Sequence, residues 1–170
     1  SKETSDAEGA CYHGIGHGSV DGGDPTLWGD PIAMTAPSIK LCEKVAPEDD
    51  YQGNRFRCVT GVFNAIEVLA QSPQYKLDSI NTNPFGICLN QPDSYKEGCY
   101  TNMLPALMRK VNGSYVEAIK IIIGIPKGTN KAPIRSSVLS SLMHDYIREK
   151  INATDMLSSG VAICRSLQED

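Results

Sequence analysis

Apolar residues recur at helical spacing along most of the chain. Over 58–71 they fall at Val59, Val62, Phe63, Ile66, Leu69 and Ala70, along one face of a helix. Over 95–111 the same spacing follows Asp93 and Ser94, good helix-starting residues, and stops at Asn112-Gly113. Pro105 lies inside that stretch. It lacks a backbone N–H and crowds the preceding turn, so the helix should kink or split there. A short apolar helix is predicted over 114–123, ended by Gly124-Ile125-Pro126. The segment 133–152 carries Ile134, Val138, Leu142, Tyr146 and Ile151 along one side. A last helix, capped by Thr154 or Asp155, should end near Leu167. Asp30 before Pro31 marks another start, in a segment that Pro37 should interrupt. Period-2 alternation is confined to a few short runs. The pattern predicts an all-α fold with linkers at 18–25, 72–84 and 126–133.

A weak repeat lies beneath this pattern. Cys11-Tyr12-His13-Gly14-Ile15-Gly16-His17-Gly18 aligns with Cys58-Val59-Thr60-Gly61-Val62-Phe63-Asn64-Ala65 and with Cys99-Tyr100-Thr101-Asn102-Met103-Leu104-Pro105-Ala106. The three starts are 47 and 41 residues apart, a period that suits stacked helical hairpins. A second phase recurs as Ile39-Lys40-Leu41-Cys42, Phe85-Gly86-Ile87-Cys88 and Val161-Ala162-Ile163-Cys164. Each hairpin unit thus opens with one cysteine and closes with another. Six cysteines allow 15 pairings. The repeat favours stapling the end of one unit to the start of the next, which gives Cys42–Cys58 and Cys88–Cys99. Cys11–Cys164 is then left to tie the ends. The interval from Cys99 to Cys164 has room for two hairpins, the second without an opening cysteine. The expected organisation is a flexible segment at 1–10, then one all-helical, disulfide-stapled domain of three to four hairpin units over 11–170.

Composition narrows the setting. The chain has 170 residues, with 16 basic and 20 acidic side chains and 6% aromatics. That balance argues against nucleic acid, which calls for basic faces and stacking platforms. No apolar run approaches the roughly 20 residues that span a bilayer. No C-x-x-C pair or zinc-finger spacing occurs among the cysteines, so bridges in an oxidising compartment are the better reading. Two sequons, at Asn112 and Asn152, fit export. The first residues are polar, so an exported chain would be the mature form with its signal removed. Glu43, Glu48, Asp49 and Asp50 read as a solvated acidic loop.

The candidate chemistry centres on His13 and His17. Four residues apart, they share one side of a helix, a spacing that can present two imidazoles to copper or zinc. Further ligands would have to come from His144, Asp21, Asp24 or Glu67, for which no spacing argument exists. Gly14, Gly16 and Gly18 are costly inside a helix, at about 1 kcal/mol each, and call for close approach by a helix or a ligand. The competing reading is structural: histidines that hydrogen-bond across packed helices at a tight contact. The sister units carry Thr60 and Asn64, or Thr101 and Pro105, at these positions, so the repeat itself does not require the pair. No phosphate loop, calcium loop or nucleophile elbow is present.

The stretch from Cys11 to His17, followed by apolar-x-x-Cys and by Cys58-Val59-Thr60-Gly61-Val62-Phe63, resembles a group of exported, disulfide-rich helical-hairpin proteins. The resemblance covers about 11–63, and the cysteine rhythm alone continues it. Asn64 matches the acidic or amide residue that follows in the group. A narrower resemblance is to an accessory extracytoplasmic subunit of a membrane-bound copper enzyme, such as archaeal ammonia monooxygenase. It rests on an exported, stapled chain with a histidine pair and without a full catalytic set. The leading reading is a structural or interaction protein that docks on a larger extracytoplasmic assembly, since helical-hairpin repeats present extended surfaces; in the narrower case that assembly is membrane-bound. The alternatives are copper or zinc handling through His13 and His17, and an enzyme with one of these histidines as general base.

Overall fold

A computed structural model describes residues 2–48, 52–129 and 133–165. Among the described residues there are ten helices and no strand. They are α1 (Lys2–Asp21), α2 (Pro31–Val45), α3 (Asn54–Leu69), α4 (Asp78–Thr82), α5 (Gly86–Leu89), α6 (Asp93–Asn102), α7 (Leu104–Lys110), α8 (Tyr115–Ile123), α9 (Ile134–Lys150) and α10 (Met156–Arg165). The all-α expectation holds.

Local chemistry sets several of these boundaries. The Asp30 carboxylate accepts from the N–H groups of Ile32 and Ala33 at 2.9 and 3.0 Å, and Pro31 supplies a preset first turn for α2. Pro37 does not interrupt that helix. It sits inside it with its ring exposed, and the helix runs through to Val45. Pro105 acts as expected: the helix breaks at Met103, and α7 resumes with the proline in its first turn, where a missing N–H costs nothing. Ser114 caps α8 by accepting from Glu117 N–H at 3.3 Å. Asn112 and Gly113, both at positive φ, make the turn before it. α1 begins at Lys2, so that helix takes in most of the segment read as a flexible tail. The 72–84 linker holds a 3-10 turn (Pro73–Tyr75) and all of α4. Asp49, Asp50, Leu167 and part of the 126–133 linker lie outside the described residues.

The helices stack as four hairpin units in a row. α1 packs on α3, α3 on α6, and α6 on α9. These are the first helices of successive units. The return helices are α2, then α4 and α5, then α8 after the α6–α7 pair, then α10. α3 lies inside the row, and its burial shows it: Val59, Val62, Phe63, Ala65 and Ile66 have essentially no exposure. The core continues through Ile80, Ile87, Tyr100, Met103, Leu107, Ile122, Val138 and Leu142. Trp28 against Tyr75 and Phe85 against Tyr100 are tilted or edge-on aromatic contacts at 4.8 and 5.0 Å between centroids.

Two disulfides staple the row, Cys42–Cys58 between α2 and α3 and Cys88–Cys99 between α5 and α6. Both are the pairings that the repeat predicts, and all four cysteines are fully buried. The third expected bridge is not formed. Cys11 and Cys164 are free, exposed thiols. The physical reason is the row itself. Cys11 lies on α1 at one end, while Cys164 lies on α10, which packs on α9 at the other.

Candidate functional site

The glycines of α1 settle how its histidines are held. Gly16 lies against the α3 backbone so closely that a Cβ there would sit 1.9 Å from the Cys58 carbonyl oxygen. A Cβ on Gly61 would sit 2.0 Å from the His13 carbonyl oxygen. α1 and α3 therefore meet backbone to backbone, the tight helix contact named as one reading of the Gly-rich motif. Gly14 and Gly18 play no part in it, since a Cβ on either meets nothing within 4 Å.

This contact carries His13 onto α3. Its Nδ1 lies 3.3 Å from Thr60 Oγ1, and the Thr60 hydroxyl donates to the Arg57 carbonyl at 2.7 Å. The one hydroxyl proton is thus committed, so Thr60 accepts from His13 Nδ1–H, and the neutral ring keeps its lone pair on Nε2. Burial, helped by the neighbouring His17, holds His13 below the ordinary imidazole value, against the opposing hydrogen bonds to Asn64 and Arg57. An open hollow of about 370 Å³ beside it is lined by Asp6, Gly9, Ala10, His13 and Arg57.

The further ligands considered for a metal do not gather around the pair. Glu67 is buried and pairs with Arg109 at 2.5 Å, and Arg109 also reaches Asn81 at 3.3 Å. Asp24 accepts from Thr26 N–H at 2.8 Å, which lowers its carboxyl below the usual range. Asp21 ends α1 on the surface. His144 is exposed on α9 with its Nδ1 4.0 Å from Asp145. Among the described residues no group of three His, Cys, Asp or Glu side chains converges. Asn112 and Asn152 are both exposed, Asn112 on the turn before α8 and Asn152 just after α9.

A larger cleft, of about 480 Å³, crosses the row from α3 to α9. Asn64 comes from α3, Thr101 and Asn102 from α6, Leu104 and Pro105 from α7, and Ser140, Ser141, His144 and Asp145 from α9. Three of these, Asn64, Thr101 and Pro105, stand at the repeat positions that His13 and His17 occupy in the first unit. The two repeat positions thus lie along neighbouring helices: Thr60 meets His13, while Asn64, Thr101 and Pro105 line the cleft. The sequence reading missed Ser140, Ser141, Asn102 and Asp145. Those on α9 had a signal, the polar i, i+4 pairs Ser140 with His144 and Ser141 with Asp145, while Asn102 on α6 had none of that kind. The cleft offers amides, hydroxyls and one His–Asp neighbour pair. Such groups suit hydrogen bonding to a polar segment.

No family model matches the chain, and no curated protein or solved structure matches it significantly. Among the described residues no helix is long and apolar enough to cross a membrane. The two intramolecular disulfides fit an oxidising compartment.

Proposed function

We propose that this chain is an extracytoplasmic binding subunit that holds a polar, extended segment of a partner protein across its row of first helices. The observation that carries the reading is the cleft from Asn64 to Asp145. Its lining comes from three successive units, and it is dominated by uncharged donors and acceptors. Stacked hairpins present such extended surfaces well, because each unit adds one strip of side chains to a common face. The partner is taken to belong to a larger assembly, membrane-bound in the narrower form of the reading. That narrower form, an accessory role beside a copper monooxygenase, draws its support from a stapled chain that carries a histidine pair without a full catalytic set.

The test is site-specific photocrosslinking in cells that make the protein. A photoreactive side chain at Ser141, inside the cleft, should give a discrete protein adduct, lost when Asn102→Arg fills the cleft with a charge. The same probe at Glu117, an exposed position on α8, should give none. Adducts of equal strength at both sites, or at neither, would refute the reading.

A second reading, copper or zinc binding at His13 and His17, is favoured by one arrangement. Thr60 orients His13 with Nε2 as the lone-pair nitrogen, and its lowered proton affinity leaves the ring neutral and able to ligate near pH 7. Two imidazoles leave the remaining positions to water or to the partner. Copper and zinc titration of the wild type against His13→Ala/His17→Ala decides it: stoichiometric binding lost in the double variant supports it, and weak binding unchanged by the substitutions removes it.

A further inference from the structure

The two ends of the row are unfinished in complementary ways. Inside the chain, the first two of the three junctions join an apolar-x-x-Cys end to the Cys start of the next unit. Ile39-to-Cys42 meets Cys58, and Phe85-to-Cys88 meets Cys99, each through a disulfide. At the first junction the motif Cys58-x-x-Gly61 is fully used. Cys58 is bonded to Cys42, and Gly61 receives the α1 backbone at His13 and His17. The same motif stands at Cys11-x-x-Gly14 with neither residue used. Cys11 is a free exposed thiol, and nothing lies within 4 Å of a Cβ on Gly14 or Gly18. At the far end, Val161-to-Cys164 repeats the closing motif, and its thiol is also free and exposed. Leu157, Val161 and Cys164 share one face of α10 at i, i+4 and i+7. Leu157 and Val161 are 70% and 47% exposed, so this apolar face of α10 is uncovered beside the thiol.

From this we infer that the partner of each end is a second copy of the chain, docked head to tail. The closing end of one copy continues the row onto the opening end of the next, and Cys164 of the first forms a disulfide with Cys11 of the second. The contact repeats the junction already made twice within the chain, so the occupant follows from the molecule's own interface. Such an interface is heterologous, and repeated addition gives open chains of copies, or a ring if the rotation closes.

The bond needs an oxidant, here a low-molecular-weight or protein disulfide of the kind that also closes the two internal bridges. The Cys164 thiolate attacks one sulfur of that disulfide, breaking its S–S bond and expelling one thiolate. The Cys11 thiolate of the next copy then attacks Cys164 Sγ in the mixed disulfide and expels the second. The two cysteines lose two electrons and two protons, and the oxidant leaves as two thiols.

The experiment uses the full chain with its internal disulfides formed, incubated in a glutathione/glutathione-disulfide buffer and run on a non-reducing gel. Wild type should form a ladder at multiples of the monomer mass, yielding a Cys11–Cys164 cystine peptide on digestion. Cys11→Ser alone and Cys164→Ser alone should each stay monomeric, and an equal mixture of the two should give a dimer and nothing larger. Mixing isotope-labelled and unlabelled wild type should place the two halves of the cystine peptide on different copies. Dimers from either single variant alone would mean symmetric pairing and overturn the proposal. So would an unlinked wild type, or a monomeric wild type with both thiols consumed.

Discussion

At Gly16 and Gly61 the α1 and α3 backbones touch, and a single methyl group decides whether they can. Each would place a Cβ about 2 Å from a backbone carbonyl oxygen, which no side-chain movement can relieve. Gly16→Ala and Gly61→Ala should each lower stability by about 3 kcal/mol in urea unfolding, the upper range for overpacking a core. Gly14→Ala and Gly18→Ala should raise the stability of the monomer by about 0.5–1 kcal/mol each, since they remove a helix-interior glycine that nothing crowds. Equal effects at all four positions would contradict the backbone contact. His13 gives a second handle. Its folded-state pKa lies below the unfolded value of about 6.5. As pH falls, the unfolded chain takes up the proton first. The stability from the neutral ring is therefore complete above about 6.5 and is lost as pH drops from there toward the folded-state value. His13→Gln should lose less stability than wild type between pH 7 and pH 5 in paired denaturant titrations. Identical losses would show that the ring is not held as described.

The unit of organisation is a hairpin, fastened to the next by a cystine at the first two junctions. Cys42 and Cys58 are 16 residues apart, and both are fully buried. Replacing both by Ser should cost about 3 kcal/mol through the freed unfolded chain, before any penalty for burying hydroxyls. A loss under 1 kcal/mol, measured by denaturant midpoint, would mean that the bridge constrains little. These junctions were legible in the sequence because two cysteine phases recur with the apolar pattern. Other elements were not. Pro37 reads as a helix breaker, yet Asp30, Pro31 and the packing of Met34 and Cys42 hold α2 together around it. α4 and α5, five and four residues long, are too short to show a helical period, and α4 hides in what reads as linker. The cleft was half legible. Asn64, Thr101 and Pro105 stand out as sister positions of the histidine pair, whereas Ser140 and Ser141 come to the same face only through the α6–α9 packing. Glu67, considered as a metal ligand from its type, proves to be the buried partner of Arg109, a pairing across 42 residues that no local pattern reveals.

The described residues form a short row of four units, with the main helix contacts running along the stack. Its two ends expose what its junctions bury: a free cysteine at each, with glycines on α1 and large apolar side chains on α10. Its face carries the polar cleft that the proposed function assigns to a partner segment. The head-to-tail reading depends on the claim that Cys42 and Cys88 each meet the next opening cysteine and that Cys11 and Cys164 are left over. The most direct test is cystine mapping of the purified monomer, alkylated without reduction, digested and read by mass spectrometry. The account predicts two cystine peptides, Cys42–Cys58 and Cys88–Cys99, with Cys11 and Cys164 both alkylated. A monomer in which Cys11 or Cys164 is bonded to any of the four internal cysteines, or to each other, would contradict it.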